Sequence, residues 1–325
     1  MNVVELLGIS SLEDQLLRLE PLLVESVVTG DRFLDEVTTH LIAAGGKRLR
    51  PVLALASAAS GGRDVSREDL LGAVAVELVH LASLYHDDVM DEATIRRNVE
   101  SVNSRFGNLV AIVAGDFLLA RSAEIAAGLG TEIAGLLAST LGELCQGQVA
   151  EVRSAFQVAR TEREYTEAIS GKTAALMATS CRIGALTADL PRDQIEALTA
   201  FGRYFGMIFQ VRDDILDVTG TETELGKPPG QDLAEGIYTL PTLLALGDPD
   251  VGPELHELLG RPLDQPERDK ARAIVSSSPA IVRSIAVGRG YADQAAEAAT
   301  ACPSRELSEG LARLAHSLLD GLPAD

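Results

Sequence analysis

The stretch Leu84–Asn98, LYHDDVMDEATIRRN, sets Asp87, Asp88 and Asp91 at the end of the apolar run VAVELVHLASLYH and follows them with Arg96 and Arg97. The run repeats apolar residues at helical spacing, so it reads as a helix carrying three carboxylates. At about 100° per residue, positions i, i+1 and i+4 fall within one arc. Asp87 and Asp91 therefore stack, with Asp88 beside them. Like charges that close repel unless cations or donors gather on the same arc. The pattern returns in FQVRDDILDVTG, where Asp213, Asp214 and Asp217 share the spacing and follow the apolar FGRYFGMIF. A single cluster would read as a solvated face. Two of identical spacing, each beside an apolar helix, read as a ligand set. Oxygen-only donors suit a hard cation such as Mg2+, which keeps waters and is commonly shared with substrate phosphates.

The chain around these clusters has 325 residues, 46% of them hydrophobic and 4% aromatic, with no Trp. Ala, Leu, Glu and Arg recur throughout, which favours an all-α fold. No alternating strand pattern stands out. The net charge of −20 excludes nucleic acid as a partner. Cys145, Cys181 and Cys302 are widely spaced, with no CxxC pair, and are expected to be small buried hydrophobes in a reducing compartment. The N-terminal MNVVELLGISSLEDQ has no positive leader region, and no apolar run reaches the ~20 residues of a membrane span. The expectation is a soluble, cytoplasmic protein without a membrane anchor.

Short breaks divide the helices. AAGGKRLRP at 43–51 is Gly-rich and ends in Pro. In SGGRDVSRED, Ser66 can cap a helix starting near Arg67, with Asp69 at the third position. Pro191 in ADLPRDQ fits a first helical turn. The longest polar loop is TGTETELGKPPGQDLAEG at 219–236. No composition shift marks a boundary, so 1–325 reads as a single helical domain, with a peripheral part after about residue 248.

Cations stand at these breaks or near the aspartates. Lys47, Arg48 and Arg50 follow two glycines; Arg96 and Arg97 follow the first cluster; Lys172 follows Gly171 in SGKTAAL; Lys227 lies in GKPPGQD. Each alone reads as a surface cation. Together, in a chain with only 28 Lys+Arg, they suggest phosphate recognition, Arg by bidentate contact and Lys as a point charge. SGKTAAL lacks the full P-loop frame. The residues thus point to Mg2+, a polyphosphate, a second anion and a greasy remainder of substrate. They leave open phosphoryl transfer, hydrolysis and loss of diphosphate.

Five blocks then occur in order: GGKRLRP, ELVHLASLYHDDVMDEATIRR, GNLVAIVAGDFLLA, GKTAAL and FGMIFQVRDDILDVTGTETELGKPPGQDL. Over about residues 40 to 245 they resemble the trans-isoprenyl diphosphate synthases, or polyprenyl synthetases. The resemblance implies a large helical bundle of the isoprenoid synthase type, the two aspartate motifs facing each other across a deep central cavity, and a homodimer. It implies that Asp87, Asp88, Asp91 and Asp213 hold three Mg2+ on an allylic diphosphate, with Asp214 and Asp217 in support. Arg96, Lys172 and Lys227 would bind that diphosphate. Lys47, Arg50, His80 and Arg97 would hold isopentenyl diphosphate. Thr173 and Gln210 would stabilise a carbocation with their dipoles. No side-chain base is needed if the released diphosphate takes the proton.

The sequence departs from the family pattern in places. Asn98 replaces a usual Gly, Ile237 stands where some members carry a diphosphate-binding Lys, and the chain ends LPAD without a basic tail. Ala82 and Ser83, one turn before the first aspartate, are small where farnesyl-type members carry an aromatic. Their plain alternative is close helix packing. A deep tunnel suits a product of C20 or longer; a C30–C50 product is favoured, membrane-destined and so compatible with transient membrane contact, and a C20 product is the alternative. A terpene cyclase would carry an Asn/Ser/Glu second motif. A non-catalytic subunit of a heteromeric synthase would usually lose the aspartates. Glu77 and His80 form an ExxH pair, but a di-iron bundle needs a second. His86–Asp87 resembles an HD dyad, which needs more histidines than remain.

Overall fold

The structure, a computed structural model, describes residues 3–9, 11–221 and 228–323. Among the described residues it is all-α apart from one short hairpin. The chain forms two compact units that interleave along the sequence: Met1–Leu141, Leu176–Gly202 and Ala298–Leu311 in the first, and Gly142–Ala175, Arg203–Glu297 and Ala312–Asp325 in the second.

In the first unit the helices are α1 (Val3–Leu7), α2 (Leu12–Glu25), α3 (Arg32–Ala43), α4 (Leu49–Ala59) and α5 (Arg67–Met90), then α6 (Val102–Phe106) and α7 (Asn108–Leu129). Helix α5 is the axis of this unit. It begins at the expected capping box: Ser66 N–H donates to Asp69 Oδ2 at 2.8 Å, and Asp69 N–H donates to Ser66 Oγ at 3.2 Å. Its middle, Ala73–Val79, is buried all round, so it shows no one-sided stripe. It packs on α7 most extensively, and on α4 and α2. The hydroxyl of buried Tyr85 donates to the Val37 carbonyl of α3 at 2.7 Å, so this ring points away from the aspartate arc.

The hairpin pairs β1 (Ile95–Arg96) with β2 (Val99–Glu100). No strand was legible here because two residues per strand leave no alternation to read. Arg97 and Asn98 form the turn, with φ of 52° and 62°. Two positive φ values in a two-residue turn are the type I′ pattern, and Asn accepts that conformation more readily than most residues. The departure at Asn98 thus has a local solution.

Helix α8 (Thr131–Arg153) and α11 (Arg192–Thr219) contribute residues to both units, and α10 (Ala175–Thr187) belongs to the first from Leu176 onward. Pro191 stands just before α11. The second unit adds α9 (Glu162–Ile169), then α12 (Gln231–Ala234), a short helix within the stretch 219–236 expected to be a loop, then α13 (Leu240–Leu246), α14 (Gly252–Leu258), α15 (Gln265–Ser276) and most of α16 (Ala280–Ala299). Its core joins Tyr165 and Ile169 to Met207, Val211 and Ile215. The segment after residue 248, expected to be peripheral, contributes Leu255, Val275 and Ile285 to that core.

Two local expectations need correction. SGKTA is not a break; Ser170–Ala174 is a π-helical turn joining α9 to α10. Cys181 and Cys302 are buried, but Cys145 is exposed on α8.

Candidate active site

In the first unit, the aspartates stand at the C-terminal end of α5. Asp91 is the C-cap, its N–H donating to Asp87 O at 2.8 Å. Carboxylates at this end meet the negative pole of the helix dipole, which disfavours them unless cations arrive. Asp87 is half-buried and Asp91 exposed. Asp88 is wholly buried. Its Oδ1 accepts from Arg96 Nε at 2.7 Å and Nη2 at 2.5 Å, while Oδ2 has no hydrogen-bond partner. Burial pushes its carboxyl up from the ordinary value, against the pull of Arg96.

A second cluster lies at the N-terminus of α4. Arg48 adopts a left-handed conformation, φ 47°, and caps no backbone group with its side chain. Its guanidinium instead bridges Glu20, at 2.6 and 3.0 Å, and buried Glu77, at 2.9 Å, and donates to Ile42 O at 3.1 Å. Arg97 reaches back from the hairpin to the carbonyls of Leu41, at 3.1 Å, and Gly45. Gly46 leaves room for it: a Cβ there would lie 2.9 Å from Arg97 Cζ, and φ is 150°. Arg50 Nε is buried without a partner.

These groups crowd positive charge. Burial pushes the Arg50 guanidinium down to about 10; Glu77 opposes this and Arg97 adds to it. His80 is held well below its ordinary value by burial, then by Arg50, Arg97, Arg96 and Arg48. Arg97 is lowered by burial, with Glu77 opposing and Arg48 and Arg96 adding. Burial raises Glu77 against these cations, and its Oε2 has no partner. Clustered guanidiniums at a helix N-terminus form a site for an anion. Lys47 is exposed beside it.

In the second unit, Lys172 and Thr173 sit on the π-helical turn, which packs backbone to backbone on α8. A Cβ on Gly147 would lie 2.3 Å from Lys172 N, and one on Gly171 would lie 2.7 Å from Glu143 O. π-turns inside helices often mark functional sites. Lys172 Nζ pairs with Glu151. Thr173 Oγ1 donates to Gln210 Oε1 at 2.7 Å, and Gln210 Nε2 donates to Asp214 Oδ1 at 2.8 Å. Tyr165 O–H donates to Asp214 Oδ2 at 2.5 Å. Burial pushes Asp214 up to about 7, although Tyr165 and Gln210 pull the other way.

Asp213, one residue away, has a side chain 45% exposed, with Arg212 at 3.5 Å. Asp217 is buried and accepts from Asp232 N–H at 3.3 Å. Ile237 lies in the loop that follows, its N–H bonded to Asp232 O. Lys227 lies outside the described residues. Ala82 is fully buried; Ser83 is partly exposed and donates to His80 O at 2.8 Å.

Among the described residues, no three His, Cys, Asp or Glu side chains converge to hold a metal by themselves. Mg2+ needs no such cage, because one or two carboxylates and substrate oxygens complete its shell. The donors of each unit fit it: in the first, accessible carboxylates on Asp87 and Asp91 and the unpartnered, buried Oδ2 of Asp88; in the second, the accessible carboxylate of Asp213. Sequence reasoning missed Glu20, Glu77, Glu151 and Tyr165 as members of these clusters. Only Glu77 carried a signal, as a charge within an apolar run.

The sequence profile of the polyprenyl synthetase family matches residues 31–276. The chain is 41% identical over 305 residues to heptaprenyl diphosphate synthase component 2 of Geobacillus stearothermophilus, covering 94% of each protein. It is 38% identical over 282 residues to nonaprenyl diphosphate synthase of Mycobacterium tuberculosis, covering 86% of this chain and 84% of that one. A polyprenyl synthase from Caulobacter crescentus, solved with calcium and isoprenyl diphosphate, superposes with a TM-score of 0.90 at 31% identity, covering 99% of this chain and 98% of that one.

Proposed function

The chain belongs to the polyprenyl synthetase family, and from that premise we propose that it condenses isopentenyl diphosphate with an allylic diphosphate into a trans-polyprenyl diphosphate of C30–C50 length. The observation that carries this reading is the cluster of Arg48, Arg50 and Arg97 at the start of α4, in which burial lowers Arg50 and His80, the neighbouring guanidiniums add to that, and Arg50 Nε is left without a partner, an arrangement suited to an anion. Arg50, Arg97, His80 and exposed Lys47 would hold the isopentenyl diphosphate. Arg96, Lys172 and Lys227 would hold the allylic diphosphate. Asp87, Asp88, Asp91 and Asp213 would hold Mg2+, three ions in all, and Asp214 and Asp217 would support them from buried positions. Bound Mg2+ supplies charge that stabilises the departing diphosphate.

The protein's own residues then do the rest. Lys172 and Arg96 offset negative charge on the leaving oxygens as the C1–O bond breaks. Thr173 and Gln210 present oxygen dipoles to the allylic cation. Apolar walls exclude the water that would quench it. The isopentenyl double bond attacks C1, and the proton lost from the adduct passes to the released diphosphate. No side-chain base is needed.

The family match takes in segments of both compact units, which supports treating 1–325 as one polyprenyl synthetase domain. Similarity to heptaprenyl and nonaprenyl synthases supports the longer product over C20. Small Ala82 and Ser83 are proposed to leave room for it. Leu109, Ile112 and Val113 expose apolar surface on α7, which supports a homodimer. A second reading, one catalytic component of a two-protein synthase, is favoured by the relative described as component 2. No helix among the described residues is long and apolar enough to cross a membrane, and the proposed location is the cytoplasm. The test is diphosphate release by the purified chain. Release that requires Mg2+, isopentenyl diphosphate and an allylic primer together supports the reading; release from the primer alone would point to hydrolysis instead.

A further inference from the structure

We infer that Tyr165 is a positioning residue for the condensation, fixing the dipoles of Thr173 and Gln210 through Asp214. The inference rests on the proposed prenyl transfer, in which those two side chains face the allylic cation. Four side chains of the second unit form one chain of hydrogen bonds, and its donors converge on the Asp214 carboxylate from both sides. Tyr165 O–H donates to Asp214 Oδ2 at 2.5 Å, and Gln210 Nε2 donates to Asp214 Oδ1 at 2.8 Å. Thr173 O–H in turn donates to Gln210 Oε1 at 2.7 Å.

Direction matters because a Gln amide can turn over and a Thr hydroxyl can rotate. A carboxylate with both oxygens accepting offers Gln210 only an acceptor, so the amide must present nitrogen to it. Its oxygen is then turned to Thr173. Thr173 has spent its proton on that oxygen, so Thr173 Oγ1 has only lone pairs left to offer elsewhere. The outer end of the chain is therefore an acceptor, the polarity a carbocation requires. Tyr165 holds the arrangement at its inner end. It keeps Asp214 Oδ2 occupied and leaves Oδ1 for Gln210. Its ring is braced in turn by the Arg160 guanidinium, 5.6 Å from the ring centroid, and Tyr165 is only 2% exposed.

The plain alternative is that Tyr165 merely satisfies a buried carboxylate. In that case its loss would lower stability and reduce activity independently of Gln210. The two are separated by a double-mutant cycle on steady-state rates, with thermal melts of each variant. Tyr165→Phe removes one oxygen and keeps the ring. Its kcat is expected to fall roughly 10-fold, the kinetic equivalent of about one hydrogen bond, with KM for both diphosphates nearly unchanged. In a Gln210→Met background the same substitution is expected to cost nothing further. Asp214→Asn offers Gln210 an amide that can donate, so its amide can reverse; because Asp214 also supports the metal site, only the part of its kcat loss that vanishes in the Gln210→Met background counts for the inference, and that coupling is read should Tyr165→Phe fold poorly. Additive losses in the cycle, or an unchanged kcat in folded Tyr165→Phe, would overturn the inference while leaving prenyl transfer intact. A wild-type protein that transfers no prenyl group would overturn both.

Discussion

Asp87 and Asp88 are sequence neighbours with opposite surroundings, as are Asp213 and Asp214. In each pair the first carboxylate is accessible and the second is buried against a protein donor, Arg96 in one case and Tyr165 with Gln210 in the other. Asp87→Ala or Asp213→Ala is therefore expected to abolish turnover with little loss of stability, since each removes an accessible ligand from mutually repelling charges. Near wild-type turnover at saturating Mg2+ by either variant would refute the ligand assignment. Arg97→Ala and Lys47→Ala should raise KM for isopentenyl diphosphate about 10- to 100-fold, the worth of a charge-assisted phosphate contact, and raise that for the primer less. Equal effects on both substrates would undo the division into two sites. Spacing in the sequence picked out all six aspartates. Which of them are buried was not legible, because the partners of the buried ones in the second motif come from elsewhere in the chain, Tyr165 to Asp214 and the Asp232 N–H to Asp217.

Helix ends were the most legible elements, because their chemistry is local. The capping box of α5 follows from Ser66 and Asp69 alone, although Arg63, which grips Asp69 at 2.6 and 3.0 Å, is a further contribution the motif does not announce. Burial raises the Asp69 carboxyl, but Arg63 and the capping N–H more than offset this and leave it below its ordinary 3.8. A depressed carboxylate stabilises the fold above its unfolded value, and that contribution is lost as pH falls through the folded value. Asp69→Asn should thus cost about 1 kcal/mol near neutrality, modest because the Arg63 side chain is 37% exposed. The gap to wild type should close as pH falls below 3.8, measured by urea titration across pH; a gap independent of pH would contradict this. The π-helical turn was illegible, since it depends on the backbone of α8 meeting Gly171. Gly147→Ala would place a Cβ 2.3 Å from Lys172 N. It should destabilise by about 1–3 kcal/mol and raise KM for the allylic primer as Lys172 moves. Unchanged stability and KM would show that the contact relaxes freely.

At the scale of the whole molecule, the all-α fold and the family were both readable, because helical periodicity runs through nearly the whole chain and five ordered blocks are hard to match by accident. The division into two compact units was not readable, because each gathers three separate segments and no composition shift marks the joins. Nor was the share of the C-terminal segment in the second core, because Leu255, Val275 and Ile285 lie in a polar-looking stretch. Product length belongs to this scale too, since it depends on the space available to the growing chain rather than on any one motif. It is read by incubating the purified protein with labelled isopentenyl diphosphate, Mg2+ and each allylic primer in turn, then separating the dephosphorylated products by chromatography. Polyprenols of C30–C50 are expected from at least one primer. No incorporation from any primer, or products that stop at C20, would contradict a long-chain polyprenyl diphosphate synthase.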